Sequence, residues 1–162
     1  VNSIQGNFTL YQDGQLIIYM ASGTWNAEGS LACLRGIRQL INRVDQDEFG
    51  LLIDTSRGEG FNFECYEIWI DAIDEWYEQG LRAGIRLDNR TDMNYRIFSE
   101  PFDNIMIPLI GLGYSKNITS AVKVLNRRGF KGFEAGLANA TKISNCPDLG
   151  LPSNFMEPSV LR

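Results

Sequence analysis

The sequence predicts an α/β protein: one domain with a mixed, mostly parallel sheet of about five strands, an N-terminal hairpin, and four to five helices packed on the sheet. Three observations carry this. Gly50 to Asp54 is a short, continuous apolar run, as in strands covered on both faces. A long amphipathic segment, about Asn62 to Gln79, and a second strand-like run, Leu81 to Asp88, follow it, and strand, helix, strand in that order implies a right-handed parallel crossover. With 162 residues, 44% of them hydrophobic, the chain can bury one compact core and is short for two.

Taken in order, Asn7 to Gln12 alternates weakly and runs into Asp13-Gly14, a dipeptide suited to the positive φ angles of a hairpin turn. Leu16 to Ala21 is the returning strand, ended by Ser22-Gly23-Thr24. Asn26 is placed to cap a helix reaching about Val44, with Ala27, Leu31, Leu34, Ile37, Ile41 and Val44 on one face. Gly29 and Gly36 each weaken that helix by about 1 kcal/mol relative to Ala, so close packing is expected at both. After the central strand, Thr55 to Gly60 reads as a polar, glycine-containing turn.

In the next helix Cys65, Ile68, Trp69, Ala72, Ile73 and Trp76 share one sector, widened by Tyr66, Ile70 and Tyr77. Glu64, Glu67, Asp71, Asp74, Glu75 and Glu78 fill the opposite side with no basic residue. The apolar arc spans roughly 200°, wider than sheet contact requires, so its Tyr-rich flank must meet a neighbouring helix or a partner. Further on, Asp92 is a cap for a short helix over Met93 to Phe98, and Pro101 suits the first turn of another that Pro108 would kink or end. Ala121 to Leu125 reads as the last strand, and Asn126 as the lead into a final helix burying Phe130, Phe133, Leu137 and Ala140. The domain is thus 1–143, and 144–162, with Pro147, Pro152 and Pro158, is an irregular C-terminal arm.

Composition excludes several classes of function. A net charge of −5 disfavours nucleic acid and anionic membranes, since non-specific affinity for phosphate comes from clustered Lys and Arg. No apolar run approaches the roughly 20 residues of a membrane span. The polar start Val1 to Asn7 lacks the regions of a secretory signal, and without an initiator Met the native start is left open. Four Asn-x-Ser/Thr triplets, at Asn7, Asn89, Asn117 and Asn139, are read as chance. Cys33, Cys65 and Cys146 have no metal-ligand spacing; two sit on apolar helical faces, which points to a reducing, cytoplasmic setting. The chain has no histidine, which removes Ser-His-Asp and Cys-His nucleophiles and the usual catalytic zinc sites.

The element order, with the Gly23-Thr24-Trp25-Asn26 helix start, the Leu51 to Ser56 strand end and the Asn126 to Leu137 stretch, resembles the STAS fold of anti-sigma-factor antagonists and sulfate-transporter tails, and most of all an uncharacterised bacterial branch of STAS-like proteins. The resemblance covers roughly residues 7 to 141 and implies a regulatory module. Members that switch by phosphorylation carry Asp-Ser-[Ser/Ala/Thr]-Gly where this chain has Asn62-Phe63-Glu64-Cys65, so the fold is expected without the phospho-switch.

The expected function is therefore a non-enzymatic interaction module, binding a protein partner or a second copy of itself. Its candidate partner- or ligand-facing residues are Asp54, Thr55, Ser56, Arg57, Asn62, Phe63, Tyr66, Ile70 and Tyr77; no cofactor is expected. One alternative is a small apolar ligand or lipid held in a pocket lidded by Met93 to Leu112. Another is Mg²⁺-dependent carboxylate chemistry at Asp54 and Asp88, which stand at strand ends where Asp also commonly caps turns.

Overall fold

The computed structural model describes residues 3–157; the end of the arm, from 158, lies outside them. Its elements are β1 (Asn7–Asp13), β2 (Leu16–Trp25), α1 (Ala27–Ile41), β3 (Phe49–Phe61), α2 (Glu64–Gln79), β4 (Leu81–Leu87), α3 (Tyr95–Phe98), α4 (Glu100–Ile110), β5 (Gly113–Ser115), α5 (Ile118–Arg127) and β6 (Thr141–Ser144). One mixed sheet runs in the order β5-β4-β3-β2-β1-β6. β2 to β5 pair in parallel, and β1 is antiparallel to both β2 and β6. The fold is therefore α/β with six strands, mostly parallel, and five helices among the described residues.

Alternation along the strands builds two cores. Leu10, Ile17, Tyr19, Leu51 and Ile53 face α1, α2 and α4, which lie side by side. Leu16, Ile18, Met20, Leu52, Ala83 and Ile85 face α5 and the C-terminal arm. The central strand is thus covered on both faces, as its continuous apolar run requires.

Asn26 caps α1 by accepting from the Gly29 amide at 2.8 Å. The same carboxamide oxygen accepts from Gln5 N, so the cap also ties down the N-terminal segment. A Cβ on Gly29 would collide with the Gln5 carbonyl, and one on Gly36 would stand 2.8 Å from Leu10 Cδ1. The buried face of α1 is Cys33, Leu34, Ile37, Leu40 and Ile41; Leu31, expected inside, is exposed.

Three other expectations fail. Thr55 to Gly60 is not a turn: β3 continues to Phe61, paired with β2 across two register shifts. Gly58 lies against the Phe98 ring, where a Cβ would stand 2.8 Å away, so this glycine admits a packed aromatic instead of a bend. Ala121 to Leu125 is helix, not strand: Asn117 accepts from Ser120 N at 2.8 Å to start α5, and Ile118, Ala121, Val122 and Leu125 are its buried face. No helix follows Asn126. Gly129 and Gly136 have positive φ, and so does Phe133, a fully buried side chain whose amide donates to Asp13 Oδ2 at 2.7 Å. β6 ends at Ser144; residues 145–157 beyond it hold no helix or strand, and Leu149 and Phe155 among them are buried. Pro108 sits inside α4, which runs on to Ile110.

Candidate functional site

The carboxyl edge of the parallel strands is where open α/β sheets usually receive ligands, and the end of β3 divides it into two different environments. Asp54 and Arg57 line a cleft of about 490 Å³, also walled by Met20, Leu87, the first turn of α5 and the arm from Gly150 to Glu157. Asp54 Oδ1 accepts from Ser56 N at 3.1 Å and from the Ser56 hydroxyl at 2.6 Å, which occupies Ser56 as a local cap. Thr55 points to the opposite face.

There Thr55 joins a buried polar network. Arg86 of β4 forms an ion pair with Asp103 of α4, and their side chains are 2% and 0% exposed. Arg86 Nε donates to both carboxylate oxygens, at 2.8 and 3.0 Å, and Nη2 approaches Oδ1 at 2.7 Å. Nη1 donates to Thr55 Oγ1 at 2.6 Å, which leaves the Thr55 hydroxyl to donate to Ser99 Oγ at 2.8 Å. The hydroxyls of Tyr95 and Tyr114 each donate to Asp103 Oδ2 at 2.8 Å. Burial pushes both phenols above their ordinary pKa, and the neighbouring carboxylate adds to the shift. With its donors and acceptors mutually committed, the network locks α3, α4 and β5 to the sheet; it leaves no nucleophile or free base.

The enclosed space between that segment and the sheet, lined by Tyr19, Trp69, Phe98 and Met106 among others, is about 30 Å³. A water or two would fill it. This size gives no support to an apolar-ligand pocket lidded by Met93 to Leu112.

The remaining expected residues lie along α2. Tyr66 stacks on Phe102, meets Phe61 edge-on and donates its hydroxyl to the Ile97 carbonyl at 2.6 Å. Ile70 packs half-buried against the core, and Tyr77 carries the Arg82 guanidinium over its ring at 4.1 Å. The wide apolar arc is thus filled by α3, α4 and neighbouring side chains of the same chain. Asn62 is exposed, and its amide donates to the Trp25 carbonyl at 2.9 Å. Phe63 is 88% exposed, beside Tyr66 at a ring distance of 6.2 Å. With Ile97 at 49% exposed, on the residue that receives the Tyr66 hydroxyl, it forms an uncovered apolar patch.

Asp88 is held by Arg90, whose Nε and Nη2 donate at 3.0 and 2.8 Å. That side-chain hydrogen bonding lowers its pKa to about 2. Asp54 and Asp88 therefore each serve a local partner, and among the described residues no group of three or more Cys, Asp or Glu could hold a metal ion. Cys33 and Cys65 are buried with thiol pKa values raised by that burial.

Sequence reasoning missed the Arg86 and Asp103 pair. A signal was present: Asp103 stands on the same helical face as Met106 and Ile110, and Arg86 interrupts the apolar run Ala83 to Leu87. A search of protein-family models and of curated proteins finds no match to the chain. No helix among the described residues is long and apolar enough to cross a membrane.

Proposed function

We propose that this chain is a non-enzymatic regulatory interaction module of STAS-like fold that engages a protein partner through Phe63 and the apolar surface around it. The observation that carries the reading is the 88% exposure of Phe63 at the start of α2, in a molecule whose other large aromatics are buried or half-buried. Interface energy concentrates in such aromatic anchors when they become buried.

The surroundings suggest the partner's chemistry. Glu64, Glu67, Asp71, Asp74 and Glu78 continue along α2 as an exposed acidic face, so a partner with an apolar pocket and basic flanks would fit. The N-terminal hairpin and the consecutive parallel order β2-β3-β4-β5 support the STAS-like assignment. Phe63 and Glu64, in place of a phospho-acceptor, support constitutive recognition over a phosphorylation switch. Three free cysteines, two of them buried, support a reducing, cytoplasmic setting.

The test compares wild-type and Phe63→Asp baits in pull-downs from the native cell, alongside light scattering of each. A partner or dimer lost in the variant, with an unchanged melting curve, is the expected result. A monomer that recovers the same background as the variant would sink the proposal.

A further inference from the structure

Resting on the reading of Phe63 as an anchor, we infer that the surface of α2 from Phe63 to Tyr77 docks a basic amphipathic helix of a different protein, laid along α2 as in a two-stranded coiled coil. Phe63, Ile70 and Tyr77 recur every seven residues, and Phe63, which precedes α2, already has helical dihedral angles. The three therefore form one line that drifts by only about 20° per repeat. Phe63 is 88% exposed, and Ile70 and Tyr77 are half-buried, so the line reaches the surface along its length. It covers about 21 Å of helix, at roughly 1.5 Å per residue. It ends at Tyr77, where the Arg82 guanidinium lies over the ring.

The charge beside this line is one-sided. Asp74, Glu67, Glu78, Asp71 and Glu64 fill roughly the next 100° of the helix, and all five are exposed. Among the described residues, Glu75 alone of the α2 carboxylates has an ion-pair partner, Arg38. On the other side Tyr66 stacks on Phe102 and donates to the Ile97 carbonyl, so the chain closes that edge itself. An apolar seven-residue line with one unneutralised edge is the pattern that helix pairs use to choose a partner of opposite charge. Complementarity assigns Lys or Arg to the facing edge of the occupant.

Rival occupants fit this surface badly. A second copy seated about a two-fold axis would bring the same carboxylates to the contact, and the phosphates of a nucleic acid would be repelled. An extended peptide spans one repeat of α2 with about three residues, and residues three apart in a strand point to opposite faces. It cannot fill the line, whereas a helix repeats at the same interval as α2.

The experiment titrates the full chain with two synthetic helices of about three heptads. One carries Leu at the seam and Lys on both flanks, and the other carries Glu in place of Lys. Fluorescence anisotropy gives affinity, and nuclear magnetic resonance of backbone amides gives the place. The basic helix should bind saturably, shift amides from Phe63 to Glu78, and weaken about tenfold or more between about 0.05 and 0.5 M salt. The acidic helix should not bind. Glu67→Lys with Asp74→Lys, both at exposed positions, should lose the basic helix and take up the acidic one, a gain that an unfolded chain would not show. No saturable binding of the basic helix, shifts confined to other elements, or equal binding of the acidic helix would overturn the inference. So would a wild-type dimer that Phe63→Asp disrupts. A native partner lost with Phe63→Asp but kept by the double lysine variant would overturn it too, while leaving the Phe63 surface standing.

Discussion

Asp103 spends both carboxylate oxygens on Arg86, Tyr95 and Tyr114 in a place solvent does not reach. Arg86→Met alone would leave that carboxylate without its counter-charge, at an expected cost of about 3–5 kcal/mol in urea denaturation. Adding Asp103→Leu should recover a large part, leaving a smaller deficit from two tyrosine hydroxyls that keep only each other as partners. If the single change proves as mild as the double, the pair is not buried as described. The tyrosines add a pH dependence of definite sign. Their folded pKa values lie above the ordinary 10.0, mainly through burial. Their contribution is therefore complete below pH 10 and lost as the pH rises beyond it. Alkaline unfolding followed by circular dichroism should be less steep in Tyr95→Phe than in wild type, and an identical slope would contradict the assignment. Asp88 acts with the opposite sign, since its pKa is lowered to about 2: what its contact with Arg90 contributes is lost as the pH falls from about 4 towards 2.

At the scale of elements, the extension of β3 decides the site. Phe61 stacks on Phe98 at 4.3 Å, and Phe98 in turn fits over Gly58, so β3 holds α3 through an aromatic that needs a missing side chain beneath it. Gly58→Val should push Phe98 off the strand, cost about 1–3 kcal/mol and raise amide exchange across α3 and the start of α4. Unchanged exchange there would show that α3 is held from elsewhere. The same residues show what a sequence conceals. Two glycines within six residues ordinarily signal a turn, and only pairing with Ser22 to Trp25 of β2, with Phe98 packed over Gly58, makes them strand. By contrast, the cap of α1 was legible at Asn26 because capping is local. Between these lies α5: the run Ala121-Val122-Lys123-Val124-Leu125 fits either period when read alone. Extending the window to Ile118 settles it as a helix, with Asn117 as its cap.

For the whole molecule, the arm is a layer of the fold. Along the second face of the sheet, residues 145–157 supply Leu149 and Phe155 to the core around Tyr11, Ile18 and Phe133. They also complete the polar groups of β1: the Thr9 hydroxyl donates to the Leu149 carbonyl, Leu151 N donates to the Tyr11 hydroxyl at 3.1 Å, and Phe8 N donates to Asn145 Oδ1 at 2.8 Å. None of this was readable in advance, because a segment without periodicity gives no sign of where it lies, and its proline spacing matched that of a free tail equally well. Removing it would expose an apolar face and strip β1 of these partners together. A chain ending at Ser144 is therefore expected to bind a hydrophobic dye and to unfold at markedly lower urea. Phe155→Ala in the full chain should cost about 3–5 kcal/mol, as large-to-small changes in a packed core do. Should the truncated chain unfold at the same urea concentration as the full one, the arm would be an appendage, and the cleft it encloses would have no structural basis.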